Sequence, residues 1–530
     1  MRRRIVTALG LLSLGLSCGM KPSLAADKPV GSARLKAIRE LSARIDQRID
    51  ARLQAESVEP SPTADDAEFF RRVWLHLAGT IPPVSEVRRF LAQTEPDKRE
   101  QAIDGLLSRP SFVRQFTLFW RQAWLPEADT DPQVQARGSQ LEFWLRQQLV
   151  NDRRYDDIVR DIIAVPVSNK STVGAPQNES GPMAFLLAKD AKPDNLAAGA
   201  SRAFLGVRLD CAQCHDHPFD RWKRDQFWSF AAFFAGLERD DENQPMRNGL
   251  LKEVTDRREL MVPETERLVG AAFLDGSEPK WRSRGGRQVL ADWITSPANP
   301  WFAKAAVNRL WGHLFGLGLV DPVDDFSSAN APSHPELLDE LASAFVAQDY
   351  DVKFILRAIM GTQAYQRTSR QLHPEVSPQL LAAMPIQGLT AEQLVRSVSL
   401  IVGPDAPVVD MRGPIGAQPD ELSATFARPG ELPTQRQTTI LQALTLMNGR
   451  TVATASDLQT GSLLAAVTDF PALTVSERIE TLFLGTLGRP PTAAESTRLT
   501  RYAESAADPK SACSDILWAL LNSVEFGCNH

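Results

Sequence analysis

Five cysteines in 530 residues are too few and too scattered for a disulfide scaffold. No stretch approaches the roughly 20 consecutive apolar residues that a bilayer crossing needs, so a transmembrane span is not expected. Beyond the leader described below, Gly-x-Ser-x-Gly is missing, as are His-Glu-x-x-His and the phosphate-binding P-loop, which removes the commonest sequence signatures of hydrolases and nucleotide enzymes. A net charge of −6 offers no broad basic footprint for nucleic acid or anionic lipid. Long β-type alternation is also scarce. The composition, 43% apolar and 23% charged, is that of a globular chain long enough for two or more domains.

The first residues are an export signal by pattern. Arg2, Arg3 and Arg4 precede an apolar run from Ile5 to Leu16, and Ser23-Leu24-Ala25 has the small-x-small form of a cleavage site. Cleavage removes Arg2, Arg3, Arg4 and Lys21 but no acid, so the remaining chain is more acidic still. The expected location is periplasmic or extracellular. A lipid anchor at Cys18 is disfavoured, because Gly15 stands where a large aliphatic residue is normally required.

The most informative segment is Leu209-Asp-Cys-Ala-Gln-Cys-His-Asp-His-Pro-Phe-Asp-Arg-Trp222, which contains the full c-type haem attachment pattern at Cys211, Cys214 and His215. Two thiols three residues apart reach the two vinyl groups of one haem, and the adjacent imidazole becomes the proximal iron ligand. Three other readings compete: a Cys211–Cys214 disulfide or redox pair, a zinc site using both thiols with His215 or His217, and a structural turn. The aromatics that follow (Phe219, Trp222, Phe227, Trp228, Phe230, Phe233 and Phe234) suit either a haem pocket or plain core, with core favoured. Met183, Met246, Met261 and His313 are the candidates for a distal ligand, none ahead of the others. Cys513 and Cys528 bracket a helical stretch, Ala512 to Asn522; continuous helix between them would set them about 22 Å apart, beyond disulfide reach.

Elsewhere the patterning is helical. Ser32–Leu53 carries Leu35, Ile38, Leu41, Ile45 and Ile49 on one stripe, and Asp66–Leu77 is stopped by Gly79 and Pro82-Pro83. Thr390 and Gln393 form a capping box, and Gln435–Met447 is closed by Asn448-Gly449. A small strand pair is expected between Glu253 and Leu274. Val165–Pro182 and Gly403–Thr434 read as long loops. Residues 73–112 and 482–526 are similar to each other: each runs helix, Pro-Pro break, acidic-started helix, loop, helix. A partial third copy runs from Tyr350 to Tyr365. The fold class is therefore mainly α, two helical domains with a short connector. The expected division is 1–25 leader, 26–60 amphipathic helix, 61–239 first domain, 240–285 connector and 286–530 second domain.

Phe69–Pro82 and Phe204–Asp220 resemble the planctomycete DUF1549 family, whose Cys-x-x-Cys-His motif underlies a cytochrome-c-like label. Asn308-Arg-Leu-Trp-Gly-His-Leu-Phe-Gly316, Pro332-Ser-His-Pro-Glu-Leu-Leu338 and the 482–526 unit resemble the DUF1553 family that normally follows it. The resemblance implies an exported two-domain protein of no established activity. Relatives often carry a cysteine-containing acidic segment where Phe426–Pro433 stands here, so no site is carried over from that region.

Taken together, these features point to an exported cytochrome-like protein that carries haem c at Cys211, Cys214 and His215 and serves a redox or protein partner. The alternatives are a non-enzymatic scaffold with a structural Cys-His site and, third, a hydrolase or carbohydrate-processing enzyme. For the third, His313 and His334 with Asp324 and Asp325 are the candidate cluster, although His313 lies in an apolar helix and His334 has the position of a helix-start residue.

Overall fold

Ile38, Leu41, Ile45, Ile49 and Leu53 line the buried face of the first helix, Ser32–Ala55, as the sequence stripe requires. That face packs against Val352–Met360. Ser42 Oγ donates to Ala358 O at 2.7 Å, and the Asp46 carboxylate accepts from the backbone amides of Gln363 and Ala364 at 2.8 and 3.1 Å. The N-terminal helix is thus bolted to a segment some 300 residues later. The computed structural model describes residues 31–167, 177–239, 251–372, 375–403, 425–426, 440–458 and 460–530. The leader, Cys18, Met246 and most of Gly403–Thr434 lie outside them.

Among the described residues helices dominate, and strands occur only as three short antiparallel pairs. Leu237–Arg239 pairs with Leu251–Glu253, and Glu259–Met261 with Leu268–Gly270, which places the expected small β element. The third pair joins Gln387–Gly388 to Cys528–Asn529.

The two similar sequence units are congruent down to their caps. Asp65 accepts from Glu68 N to start Asp66–Leu77, and Thr474 accepts from Glu477 N to start Val475–Thr486. Both helices end alike. Trp74 O accepts from Ala78 N and Gly79 N, and Phe483 O accepts from Leu487 N and Gly488 N. The terminating glycines sit at φ +69° and +74°, a left-handed conformation that a side chain would disfavour. Second helices (Val84–Ala92, Ala493–Ser505) and third helices (Lys98–Leu107, Pro509–Leu521) follow in each. The Tyr350 echo keeps only an Asp351-capped helix and the short Gln363–Gln366.

The hydrophobic side chains gather into two clusters. The larger runs from Ile38 to Met384, and the smaller holds Leu389 to Phe526 together with Ile81. The boundary between the two clusters falls between Met384 and Leu389. One position of the repeat is exchanged across it: Leu75 packs in the smaller cluster, and its counterpart Leu484 packs in the larger. Fully buried Arg71 reinforces the joint by donating to the carbonyl oxygens of Thr486, Phe526, Cys528 and Glu525 at 2.9 to 3.3 Å.

One expectation changes. Residues 177–188 are helical, with Pro182 inside, where the composition read as loop to Pro182. Close packing outweighs the lost hydrogen bond there: a Cβ on Gly181 would sit 2.1 Å from Trp144 Cβ. The chain turns back after Ser523 so that Cys528 joins a strand pair, yet Cys513 and Cys528 remain unbridged.

Candidate functional site

Residues 201–222 approach the surface in stages. The helix Pro193–Ala200 widens into a π turn over Ser201–Leu205 and stops at Gly206, φ +66°. Val207 and Leu209 then anchor a connecting stretch in the core. The next residues form a single 3₁₀ turn, Asp210–Gln213. Cys211 lies in this turn and Cys214 follows it as the C-cap residue, both with side chains facing solvent. Ala212, pointing the other way, is fully buried. Cys211, Cys214 and His215 are all exposed, and both thiols are free.

Hydrogen bonds pin the turn from below. Gln213 O accepts from Trp228 Nε1 at 3.0 Å, and Gln213 Nε2 donates to Asp194 at 2.8 Å. The Asp216 carboxylate accepts from Arg224 N and Lys223 Nζ, both at 3.0 Å. The amide bond first and the lysine second hold that carboxyl below its ordinary range. His215 Nδ1 lies 2.7 Å from Asp216 O. A backbone carbonyl selects the Nδ1–H tautomer and leaves the Nε2 lone pair outward, the arrangement a ligating imidazole adopts. His217 is differently used: its Nδ1 accepts from Phe219 N at 3.2 Å.

The donor set suits a group needing two open thiols and one imidazole. It suits a tetrahedral zinc site less well, because among the described residues no three His, Cys, Asp or Glu stand together as metal ligands. The downstream aromatics are core. Phe227, Phe230, Phe233 and Phe234 are buried, as is Trp222, whereas Phe219 is 80% exposed. Of the distal candidates, Met183 is buried and His313 Nε2 is engaged with His76 O at 2.9 Å. Met261 is exposed on a hairpin that Arg224 and Arg267 tie to the helix following the motif: Arg224 donates to Pro263 O at 2.8 Å, and Arg267 pairs with Asp225.

Residues 44–239 match the family model PSCyt2, a protein of unknown function (DUF1549), and residues 286–424 and 417–503 match PSD1, a protein of unknown function (DUF1553). The chain carries a DUF1549 domain followed by a DUF1553 domain. No curated protein and no solved structure matches it.

Within the DUF1553 domain the four residues of the hydrolase alternative each engage a different neighbour. Half-buried His313 contacts His76, which in turn meets Tyr365 Oη and Asn529 Nδ2, both at 2.8 Å. His334 caps Pro335–Ala347 and lies 3.1 Å from Ser333 Oγ. Asp325 lends its backbone oxygen to Asn330. Asp324 binds Arg202 and Arg208. A cavity of about 490 Å³ beside the first helix shares no residue with the motif. Its carboxylates are all engaged: Glu100 by Arg39, Asp104 by Arg357, Asp50 by Arg367, and Asp46 by backbone amides.

Sequence reasoning missed the neighbours that the DUF1553 domain brings to the motif. Asp324 meets Arg202 and Arg208, and Ser328 Oγ donates to Asp220 at 2.9 Å. Nothing in local spacing marks these pairs, which lie more than 100 residues apart in the chain.

Proposed function

We propose that this is an exported, c-type-cytochrome-like protein whose DUF1549 domain holds haem covalently through Cys211 and Cys214, with His215 as axial ligand, and passes electrons to a protein partner. The observation that carries this reading is the exposure of both thiols and the imidazole on an otherwise pinned turn. Unbridged cysteine is among the most buried of residue types, as Cys513 is here, so two exposed thiols on a fixed turn do no packing work. The leader pattern supports export, where such attachment takes place. Among the described residues no helix is long and apolar enough to cross a membrane.

When bound, haem supplies a one-electron redox centre. The chain's own contribution is orientation. Asp216 O fixes the His215 tautomer, the Gln213 and Asp216 contacts hold the turn, and the exposed Phe219, Met261 and Leu268 offer apolar surface nearby.

The deciding experiment is a pyridine haemochrome spectrum of the denatured protein after expression with c-type haem maturation. Haem retained covalently, and lost in Cys211→Ala/Cys214→Ala, is the expected result. An apoprotein, made beside a control cytochrome that matures normally, sinks the proposal. Thiol titration of that apoprotein would then separate a Cys211–Cys214 redox pair from a structural scaffold.

A further inference from the structure

We infer that residues 320–328 of the DUF1553 domain are a clasp that sets the conformation of the Cys211–His215 turn, so that the second domain positions the functional motif of the first. The inference rests on that motif being the functional site, but not on haem being what it binds.

The turn has little structure of its own. A 3₁₀ segment of four residues, flanked by irregular chain, is marginal without outside support. The bonds at Gln213 and Asp216 hold it from within its own domain, and the clasp adds support on both flanks. It is rooted in the buried helix Phe302–Phe315, where the fully buried Asn308 side chain exchanges two hydrogen bonds with the backbone of Val320, at 2.8 and 3.0 Å. Upstream of the motif, Phe326 N donates to Gly206 O at 2.8 Å, and the Phe326 ring lies where a side chain on Gly206 would be. Asp324 accepts from Arg202 Nε and Arg208 Nη2, both at 2.5 Å. Burial opposes ionisation of Asp324, but the two guanidinium groups outweigh it and hold the carboxyl below its ordinary range. Downstream, Ser328 Oγ donates to Asp220. The chain is therefore held at the Gly206 backbone and through the Arg208 and Asp220 side chains, three residues before Cys211 and five after His215. Asp324 and Ser328 are positioning residues, since neither touches the thiols.

The test uses the full apo chain and reads the Cys211/Cys214 dithiol–disulfide balance in a fixed glutathione buffer. The clasped turn leaves both thiols unbridged. Releasing it widens the conformations in which they meet, so Asp324→Asn and Ser328→Ala are each expected to raise the disulfide fraction several-fold. Asp324→Glu should restore the wild-type balance. Hydrogen exchange over 207–222 should quicken in the same two variants. A clasp that only stabilised the fold would lower the melting temperature and leave the balance where it was; that result, in a folded variant, overturns the inference. Should Asp324→Asn unfold, exposed Ser328 decides, because Ser328→Ala removes one surface hydroxyl. The outcome is separable from the haem question: an unmoved balance refutes the clasp whether or not haem attaches.

Discussion

Replacing Gly206 with alanine tests the joint between the two domains at one methyl group. Two costs are expected. An L-residue in the left-handed conformation at φ +66° loses about 1–2 kcal/mol. The new Cβ would also lie 2.7 Å from Phe326 Cδ2 and 3.3 Å from Ala305 Cβ. Ala305 is buried in a helix and cannot yield, so the half-buried Phe326 must swing outward, at a further cost of about 1–2 kcal/mol. Urea unfolding should register a loss of about 2–4 kcal/mol in all. The steric part can be isolated with a double-mutant cycle. In a Phe326→Ala background the same substitution should cost only the backbone strain, about 1–2 kcal/mol. An equal cost in both backgrounds would refute the steric argument, and a loss below about 0.5 kcal/mol in the wild type would refute both parts.

Arg71→Met strips four carbonyl oxygens of a buried cationic donor and should cost about 3–5 kcal/mol. Exchange protection should vanish first over 525–529 and the Gly388–Cys528 pair; unchanged protection there would deny Arg71 its role as the joint's fastener. The buried histidines make the fold acid-sensitive. Burial chiefly, helped by Arg52, brings His334 down from 6.5 to about 4, and burial also holds His76 and His313 below their ordinary value. Between those limits the unfolded chain binds a proton that the folded one refuses, so stability falls as pH drops from 6.5 towards 4. His334 alone accounts for about 3 kcal/mol of that loss. Urea midpoints at pH 7 and 4.5 measure it, and His334→Gln should flatten the dependence; parallel slopes would dismiss the residue.

Much of the fold is legible along the chain. The Thr390–Gln393 capping box forms as written, Asp66–Leu77 ends at Gly79, and both copies of the three-helix unit appear with their Pro-Pro breaks. These are local events, decided by backbone propensity, capping groups and a 3.6-residue stripe. Residues 177–188 read less well, because their helix depends on packing against Trp144, which no local rule contains.

The helical class, the tandem of two family segments and the presence of a Cys-x-x-Cys-His motif at 211–215 are all readable along the chain. Those depend on which residues follow one another. Three-dimensional packing alone places Leu75 and Leu484 in exchanged clusters, gives His313, His334 and Asp324 different partners, and sets Asp324 and Ser328 against residues flanking the motif. The Asp324, Ser328 and His313 contacts join residues more than 100 apart, and their partners are selected by packing and by the need to pair buried charge, neither of which has a period or a spacing to read.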